Sequence, residues 1–277
     1  MAKIVYDIFD DYVLSNSSYV YKMRMFISNH ACTYLIIDGD RWMAYRSYAL
    51  DCGNRALFSI RDEIEMLKNT DKMLQLSFSE VRISLLSQAF TMVPEELYSD
   101  KNPYAYLNSV CPSPASEIVR TETFTSEIRN LYLIKIDLLQ FLEKSFPGVA
   151  ITHFFTGMVS GIFSENRNQG TALFINFHQN QMQILVCDAQ RILLANNYDF
   201  QSTGDVAYFI MLIINQLSLD PETAMVYLSG HVNSSAELYN TIARYIRNVH
   251  FRHTLFSEFP RESAFATYPL HTFADVG

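Results

Sequence analysis

One order of segments occurs twice in this chain of 277 residues, at a separation of 150 positions. Each copy has the pattern of three strands joined by two short turns, followed by an apolar helix and a fourth strand. Asp38 and Arg41, which flank the second turn of the first copy, recur as Asp188 and Arg191. Because each strand–turn–helix unit needs its own core, we predict a duplicated α/β chain with two lobes.

The predicted elements of the two copies follow from their apolar periodicity. The first copy is expected to have a helix and four strands, at residues 56–67 and at 19–28, 32–38, 41–50 and 80–86. The second is expected to have two helices and five strands, at residues 206–219 and 234–248 and at 171–177, 182–188, 191–198, 223–228 and 249–253. After the first helix of each copy the offset falls to 143, which pairs Ile83 with Val226 and predicts a seven-residue difference between helix and fourth strand.

The residues between the copies are also predicted to be ordered. Strands are expected at residues 117–124, 130–136 and 149–155, and helices at 137–146 and 157–163. A helix is also expected to begin at Pro94, whose fixed φ suits a first helical turn. The predicted organisation is a first lobe at 1–110, a connecting strand-rich segment at 111–170 that completes it, and a second lobe at 171–277. The tail from Glu258 is expected to pack in irregular form.

Charge and composition exclude several functions. The net charge of -8 and the lack of a dense Lys/Arg run argue against nucleic-acid binding. The chain shows neither a signal-peptide pattern nor an apolar stretch of roughly 20 residues, so we expect no transmembrane segment and a cytoplasmic location. Four scattered cysteines lack metal-ligand spacing and are expected to be small buried hydrophobic residues. They are Cys32, Cys52, Cys111 and Cys187.

The second copy carries a specific family resemblance. Residues 172–178, 183–188 and 191–194 resemble the second phosphate hairpin of the actin-like ATPase superfamily, which has a ribonuclease H-like fold. Val226-Tyr-Leu-Ser-Gly230 resembles the adenosine-motif strand of that superfamily. The similarity is greatest to the pilus-assembly and cell-division branch, and the chain is also similar to a Bacteroidetes family of unknown function with this fold. The resemblance implies an α/β, duplicated actin-like fold with a cleft between its lobes.

The motifs depart from those of active members, in which each phosphate hairpin has an Asp followed two positions later by Gly. Gly lets the backbone approach a phosphate, and the Asp organises Mg²⁺. The first hairpin has neither, with Ser28 and Asn29 at its turn. In the second, Asn176 replaces the Asp and His178 the Gly.

The adenosine motif departs in the same way. Ser229 and Gly230 end its strand, but His231 and Val232 stand where further glycines are expected. Side chains there should obstruct a nucleotide. We therefore expect the ATP and Mg²⁺ site to be closed, with Ser28, Asn29, Asn176, His178, Ser229, Gly230 and His231 lining a degenerate cleft.

Other constellations have ordinary structural explanations. His250 and His253 point to opposite faces of a strand, so they are not expected to bind a metal together. The neighbouring carboxylates Asp10-Asp11 and Glu95-Glu96 do not aim at one target, and Glu95-Glu96 suits a helix N-terminus. A replacement ligand or metal site at His178 and His231 remains an alternative to two hydrogen-bonded loop histidines. No catalytic residue and no metal ligand is assigned.

The leading hypothesis is a non-catalytic protein that binds a protein partner or associates with itself. The helix at residues 206–219 is apolar nearly all round, which predicts either burial between layers or an interface. Two alternatives remain open. One is a divergent ATP-dependent enzyme or kinase with ligands such as Asn176, His178 and Asp38, and the other is a sensor that binds a small ligand in the cleft.

Overall fold

The computed structural model describes residues 2–14, 20–50, 52, 59–108, 116–164, 170–232 and 237–252. The chain divides into two compact units, the first reaching Ser160 and the second beginning at Gly161. Cys111, His253 and the predicted irregular tail lie outside the described residues. None of the helices within the described ranges is long and apolar enough to cross a bilayer.

The first unit contains two sheets. Its strands in the described ranges are β1 (Lys3–Phe9), β2 (Tyr21–Ile27), β3 (Ala31–Asp38), β4 (Arg41–Ala49), β5 (Phe78–Leu85), β6 (Phe90–Pro94), β7 (Glu117–Thr125), β8 (Ile128–Lys135) and β9 (Ala150–His153). Its helices are α1 (Ile60–Thr70), α2 (Tyr104–Leu107) and α3 (Ile136–Ser145), and α4 (Phe154–Ser164) begins in it. The larger sheet has the order β1-β4-β3-β2-β5-β9, and the smaller has the order β6-β8-β7.

The second unit contains one sheet with the order β12-β11-β10-β13-β14. Its elements in the described ranges are β10 (Thr171–His178), β11 (Gln181–Asp188), β12 (Arg191–Asp199), α5 (Thr203–Gln216), β13 (Met225–Gly230), α6 (Glu237–Ala243) and β14 (Asn248–Phe251). One face of this sheet is apolar because alternate strand residues such as Ile175, Ile184 and Leu228 point the same way. Val206 and Ile210 of α5 pack in the same core.

The strand pairing confirms the duplication in detail. In both copies the second strand pairs antiparallel with the first and with the third. The first strand also pairs with the fourth, in parallel. Each copy also has one bulge between its second and third strands. The bulge lies at Ile36/Ile37 in the first copy and at Val186/Cys187 in the second, again 150 positions apart. A bulge is a specific feature of one register, so its recurrence supports a common ancestor unit.

The predicted position of the seven-residue difference was wrong. The connection between third strand and helix spans residues 50–59 in the first copy and only 200–202 in the second, so the difference precedes the helix. Capping boxes begin the two helices at Ser59 and Ser202, which are 143 positions apart. A shift of seven residues leaves an apolar helical stripe on the same face, so periodicity did not locate the difference.

The predicted register of the fourth strand was also wrong. Met25 pairs with Ile83, and Ile175 pairs with Leu228, which makes the offset 145 rather than 143. A two-residue slip keeps every side chain on its face, so alternation alone did not distinguish the two registers.

Several element boundaries differ from the prediction. β1 was missed because a bulge between Ile4 and Tyr6 interrupts its alternation. Pro94 does not begin a helix but ends β6, an edge strand where its missing N–H is tolerated, and a single 3-10 turn follows. The helix predicted at residues 56–67 runs over Ile60–Thr70 in the described ranges, and that predicted at 234–248 runs over Glu237–Ala243. Residues 56–58 and 234–236 lie outside the described residues.

Two of the four cysteines confirm the predicted burial. Cys32 and Cys187 are buried within strands, and Cys52 is half-buried. Burial raises the pKa of the Cys187 thiol to about 12, which keeps it protonated and unreactive at neutral pH.

Candidate functional site

The first hairpin closes on itself around Ser28. The Ser28 hydroxyl accepts hydrogen bonds from the backbone N–H groups of His30 (3.2 Å) and Ala31 (3.1 Å). The Ser28 N–H donates to the carbonyl of Ala31. Asn29, half-buried at the same turn, accepts a bond from the N–H of Cys52 through its carbonyl. The N–H groups of Ser28, His30 and Ala31 are thus engaged within the turn and are not available to a phosphate.

The second hairpin holds Asn176 in a row of four polar side chains that crosses four strands. The Ser229 hydroxyl donates to Asn176 Oδ1 (3.0 Å), and Asn176 Nδ2 donates to Gln183 Oε1 (3.0 Å). Gln183 Nε2 then donates to Asn197 Oδ1 (2.9 Å). Neighbours in the row are direct cross-strand partners. We call these four residues the amide ladder; both ends of the Asn176 amide are used within it.

A second polar row lies two residues further along the same strands. His178 is opposite Gln181, and Gln181 Nε2 donates to Asp199 Oδ1 (2.7 Å). His178 and Gln181 are fully buried. The prediction that His178 lies on a turn was wrong, because His178 is the last residue of β10 and the turn consists of Gln179 and Asn180.

The structure brings the rings of His178 and His231 together. Their ring centroids are 4.3 Å apart, with the planes tilted by 56°. Desolvation, with a smaller contribution from His178, holds the pKa of His231 well below its usual value. The His231 ring is therefore neutral at neutral pH and supplies no positive charge to a phosphate.

Gly230 is required by the packing of β13 against β10. Its φ is +79°, and a Cβ at this position would lie 2.2 Å from the carbonyl oxygen of Phe177. The next amide, that of His231, donates to the same oxygen (2.8 Å). The one glycine that this chain keeps from the adenosine motif therefore serves a close approach between two strands.

Asp38 does not join the Ser28 turn. β3 begins next to that turn and ends at Asp38, so the two lie at opposite ends of an eight-residue strand. At the rise of a β-strand this places them about 24 Å apart.

Two of the remaining candidates have ion-pair partners. Asp10 is paired with Arg41, and Glu95 with Arg129 at 2.6 Å. His250 is exposed on β14. Among the described residues, no group of three or more His, Cys, Asp or Glu side chains could hold a metal ion.

Gln181, Gln183, Asn197 and Asp199 were not predicted as part of the site. The signal was present in the sequence, because polar residues two positions apart share one face of a strand. Three consecutive strands carry such a pair near the same end. The pairs are Asn176 and His178, Gln181 and Gln183, and Asn197 and Asp199.

Comparison with solved structures identifies the fold. A Bacteroides thetaiotaomicron protein of unknown function with an actin-like ATPase fold superposes with a TM-score of 0.71 at 18% identity, over 88% of this chain and 93% of that chain. PilM, solved in the PilM–PilN complex of type IV pilus biogenesis, superposes with a TM-score of 0.61 at 11% identity, over 93% and 96% of the two chains. The chain therefore has an actin-like ATPase fold, as the sequence resemblance implied.

Comparison with curated proteins gives no match. Residues 12–249 match the family described as "Protein of unknown function (DUF3822)". Because that match covers most of the 277 residues, the chain belongs to the DUF3822 family, with an actin-like ATPase fold.

Proposed function

We propose that this chain is a non-catalytic protein of the actin-like ATPase fold, with a closed nucleotide site, that acts by binding another protein. The observation that carries the proposal is the position of His178. Its side chain is fully buried at the hairpin position where the active superfamily members have glycine. A phosphate would have to displace an imidazole that packs against His231.

The amide ladder supports the loss of Mg²⁺ chemistry. The residue that replaces the metal-organising Asp is an amide, which is neutral and a weaker ligand for a hard cation than a carboxylate. Asn176 is 2% exposed and is bonded on both sides, to Ser229 and to Gln183. Freeing it for a ligand would leave buried polar groups without partners, at about 1–3 kcal/mol for each group.

The first hairpin and Gly230 support the same conclusion. In the first turn, the N–H groups of His30 and Ala31 donate to the Ser28 hydroxyl, and the Ser28 N–H donates to the Ala31 carbonyl. Gly230 leaves no open backbone, since Phe177 occupies the space beside it. The N–H groups of Ser28, His30, Ala31 and His231 are therefore already bonded and do not cradle a phosphate.

A protein-binding role agrees with the use of this fold elsewhere. PilM was solved with PilN as a partner in pilus biogenesis. For the present chain we propose the same general mode of action, a scaffold that presents a surface to a protein.

Nucleotide binding is the direct test. A site with a Kd of about 10 µM would stabilise the chain by about 2.7 kcal/mol at roughly 1 mM nucleotide. We expect no shift in the denaturation midpoint with Mg²⁺-ATP, Mg²⁺-ADP or the control Mg²⁺-AMP, and no saturable heat in calorimetric titration. A dose-dependent shift that is specific to ATP or ADP would overturn the closed site and restore the enzyme alternative.

A further inference from the structure

We propose that the outer face of α5, with the groove between α5 and α6, binds a second copy of this chain. This α5 surface contains a groove of about 380 Å³. Gly204, Tyr208, Leu212 and Tyr245 are among the residues that line it. The inference rests on the proposed protein-binding function and names the partner.

The α5 surface exposes large apolar side chains. Tyr208 is 62% exposed, Leu212 43% and Tyr245 53%. The opposite face of α5 already packs into the core through residues such as Ile210. The single charged residue of α5 is Asp205, whose carboxylate accepts the Ser202 N–H in the capping box. The outward face of this helix thus lacks the charged side chains that usually favour exposure to water.

The duplicated helix α1 provides an internal comparison. Its outward positions hold Arg61, Glu65 and Asn69, and Arg61 and Glu65 form an ion pair at 2.9 Å. Counted from the two capping serines, the corresponding positions of α5 are Gly204, Tyr208 and Leu212. The same place in the fold has a polar, ion-paired face in one copy and an apolar face in the other. Ordinary exposure to water explains the first and not the second.

No contact among the described residues explains Gly204. It is exposed, its φ is not in the left-handed region, and the nearest atom to a Cβ there would be Ser202 Oγ at 3.5 Å. Glycine disfavours a helix relative to alanine. A close approach by another helix does require a residue without a side chain, as in small-residue helix contacts.

The α5 surface is complementary to itself about a two-fold axis at Tyr208. Gly204 and Leu212 lie four residues before and after Tyr208, on one stripe of the helix. When two α5 helices pack antiparallel, Leu212 of each copy meets Gly204 of the other. The Leu212 side chain of each copy then fills the space beside Gly204 of the other. The contact occurs twice because the axis is two-fold.

Charges at the two ends of α6 are complementary under the same axis. Glu237 lies beside the start of α5, where Thr203 Oγ1 donates to Glu237 Oε1 (3.3 Å). Arg244 follows seven residues later, in the turn directly after Ala243, the last residue of α6. Both are exposed. Antiparallel packing brings Glu237 of one copy towards Arg244 of the other, which favours a second copy as the occupant.

The experiment is sedimentation equilibrium on the full chain, over concentrations up to about 1 mM. We expect a monomer–dimer equilibrium. Leu212→Glu should weaken association by about tenfold or more, since it buries a charge within the contact, against Gly204 of the other copy. Asn69→Glu introduces the same residue at the corresponding position of α1 and should change the dissociation constant by less than about twofold. A chain that stays monomeric throughout, or two variants that behave alike, would overturn the proposal.

A charge exchange tests the antiparallel arrangement. Glu237→Arg and Arg244→Glu should each weaken the dimer, and the double variant should recover most of the loss. A double variant no tighter than the singles overturns this arrangement. Both residues are exposed, so circular dichroism melts should match the unmodified chain. A monomeric chain that also fails to bind Mg²⁺-ATP would refute the dimer and leave the closed nucleotide site standing.

Discussion

Replacing Asn176 by aspartate restores the acidic residue of the active superfamily members, and we expect it to destabilise this chain. The introduced carboxylate would accept from Ser229, but it has no proton to give to Gln183, 3.0 Å away. Gln183 would have to rotate its amide to donate to the new carboxylate. Its oxygen would then face Asn197 Oδ1, which now accepts from Gln183 Nε2. The lost neutral hydrogen bond costs about 1 kcal/mol. Burial of a charge at a position 2% exposed adds to this.

The charge contribution to Asn176→Asp depends on pH in a defined direction. Burial raises the pKa of the introduced carboxyl in the folded state above its unfolded value of about 3.9. The folded state then holds the proton to higher pH than the unfolded chain does, so the stability deficit grows as pH rises. It grows by about 1.36 kcal/mol for each pH unit between the two pKa values. A rise of about two units predicts a deficit of roughly 3 kcal/mol at neutral pH, and little deficit near pH 4, where the folded carboxyl is protonated and can donate to Gln183.

Urea unfolding at several pH values measures this deficit as the difference between variant and unmodified chain, which removes the titration of the native groups. Asn196→Asp is the matched control, because Asn196 is exposed on β12. It should cost less than about 0.5 kcal/mol at every pH. A pH-independent deficit for Asn176→Asp, or a gain of Mg²⁺-dependent stability, would refute the view that the amide ladder is a closed structural unit.

Three further substitutions test the packing. Gly230→Ala should cost about 2–4 kcal/mol in urea unfolding, because its Cβ would overlap the Phe177 carbonyl oxygen, and a loss below about 1 kcal/mol would contradict this. Asp71→Asn should lower the free energy of unfolding by about 3–5 kcal/mol, since the buried Asp71 carboxylate accepts a hydrogen bond from Arg46 Nη1 at 2.9 Å. An unchanged denaturation midpoint would show that this ion pair does not contribute to stability. Burial lowers the pKa of His153 to about 4, so protonation of the unfolded chain destabilises the fold as pH falls from about 6.5 to about 4. His153→Gln should flatten the pH dependence of stability in that range, and an unchanged slope would assign it to other groups.

Two controls separate the causes in these experiments. Gly39 also has a left-handed φ, +58°, but no atom lies within 4 Å of a Cβ built there. Gly39→Ala therefore measures backbone strain alone, about 1 kcal/mol. Asp7 binds the same arginine as Asp71 but is exposed, and Asp7→Asn should cost about 0–1 kcal/mol.

The repeated order of strands was predictable because period-two alternation and turn residues are local signals. The exact offset after the third strand was not. A seven-residue shift of a helical stripe and a two-residue shift of a strand both preserve the buried face. The caps Ser59 and Ser202, each with an Asp three residues later, were the local signal that would have placed the helices correctly.

The candidate site was predictable in its residue types and not in its contacts. The replacement of Asp by Asn176 and of Gly by His178 is visible in the sequence. That Asn176 bonds to Ser229, 53 residues away, depends on parallel pairing of β10 with β13, which no local pattern specifies. The need for glycine at position 230 was equally unpredictable. It arises because the Phe177 carbonyl of the neighbouring strand lies where a side chain would be.

Every donor in the amide ladder points in the same direction, from Ser229 on β13 to Asn197 on β12. The four side chains therefore form one polarised chain, in which reversing any amide obliges the next to reverse. Ser229 and Asn197 are three strand spacings apart, about 14 Å, farther than the about 7–10 Å beyond which mutational effects usually add. A double-mutant cycle between them should nevertheless give a non-zero coupling energy, because the orientation of one amide constrains the next along the row.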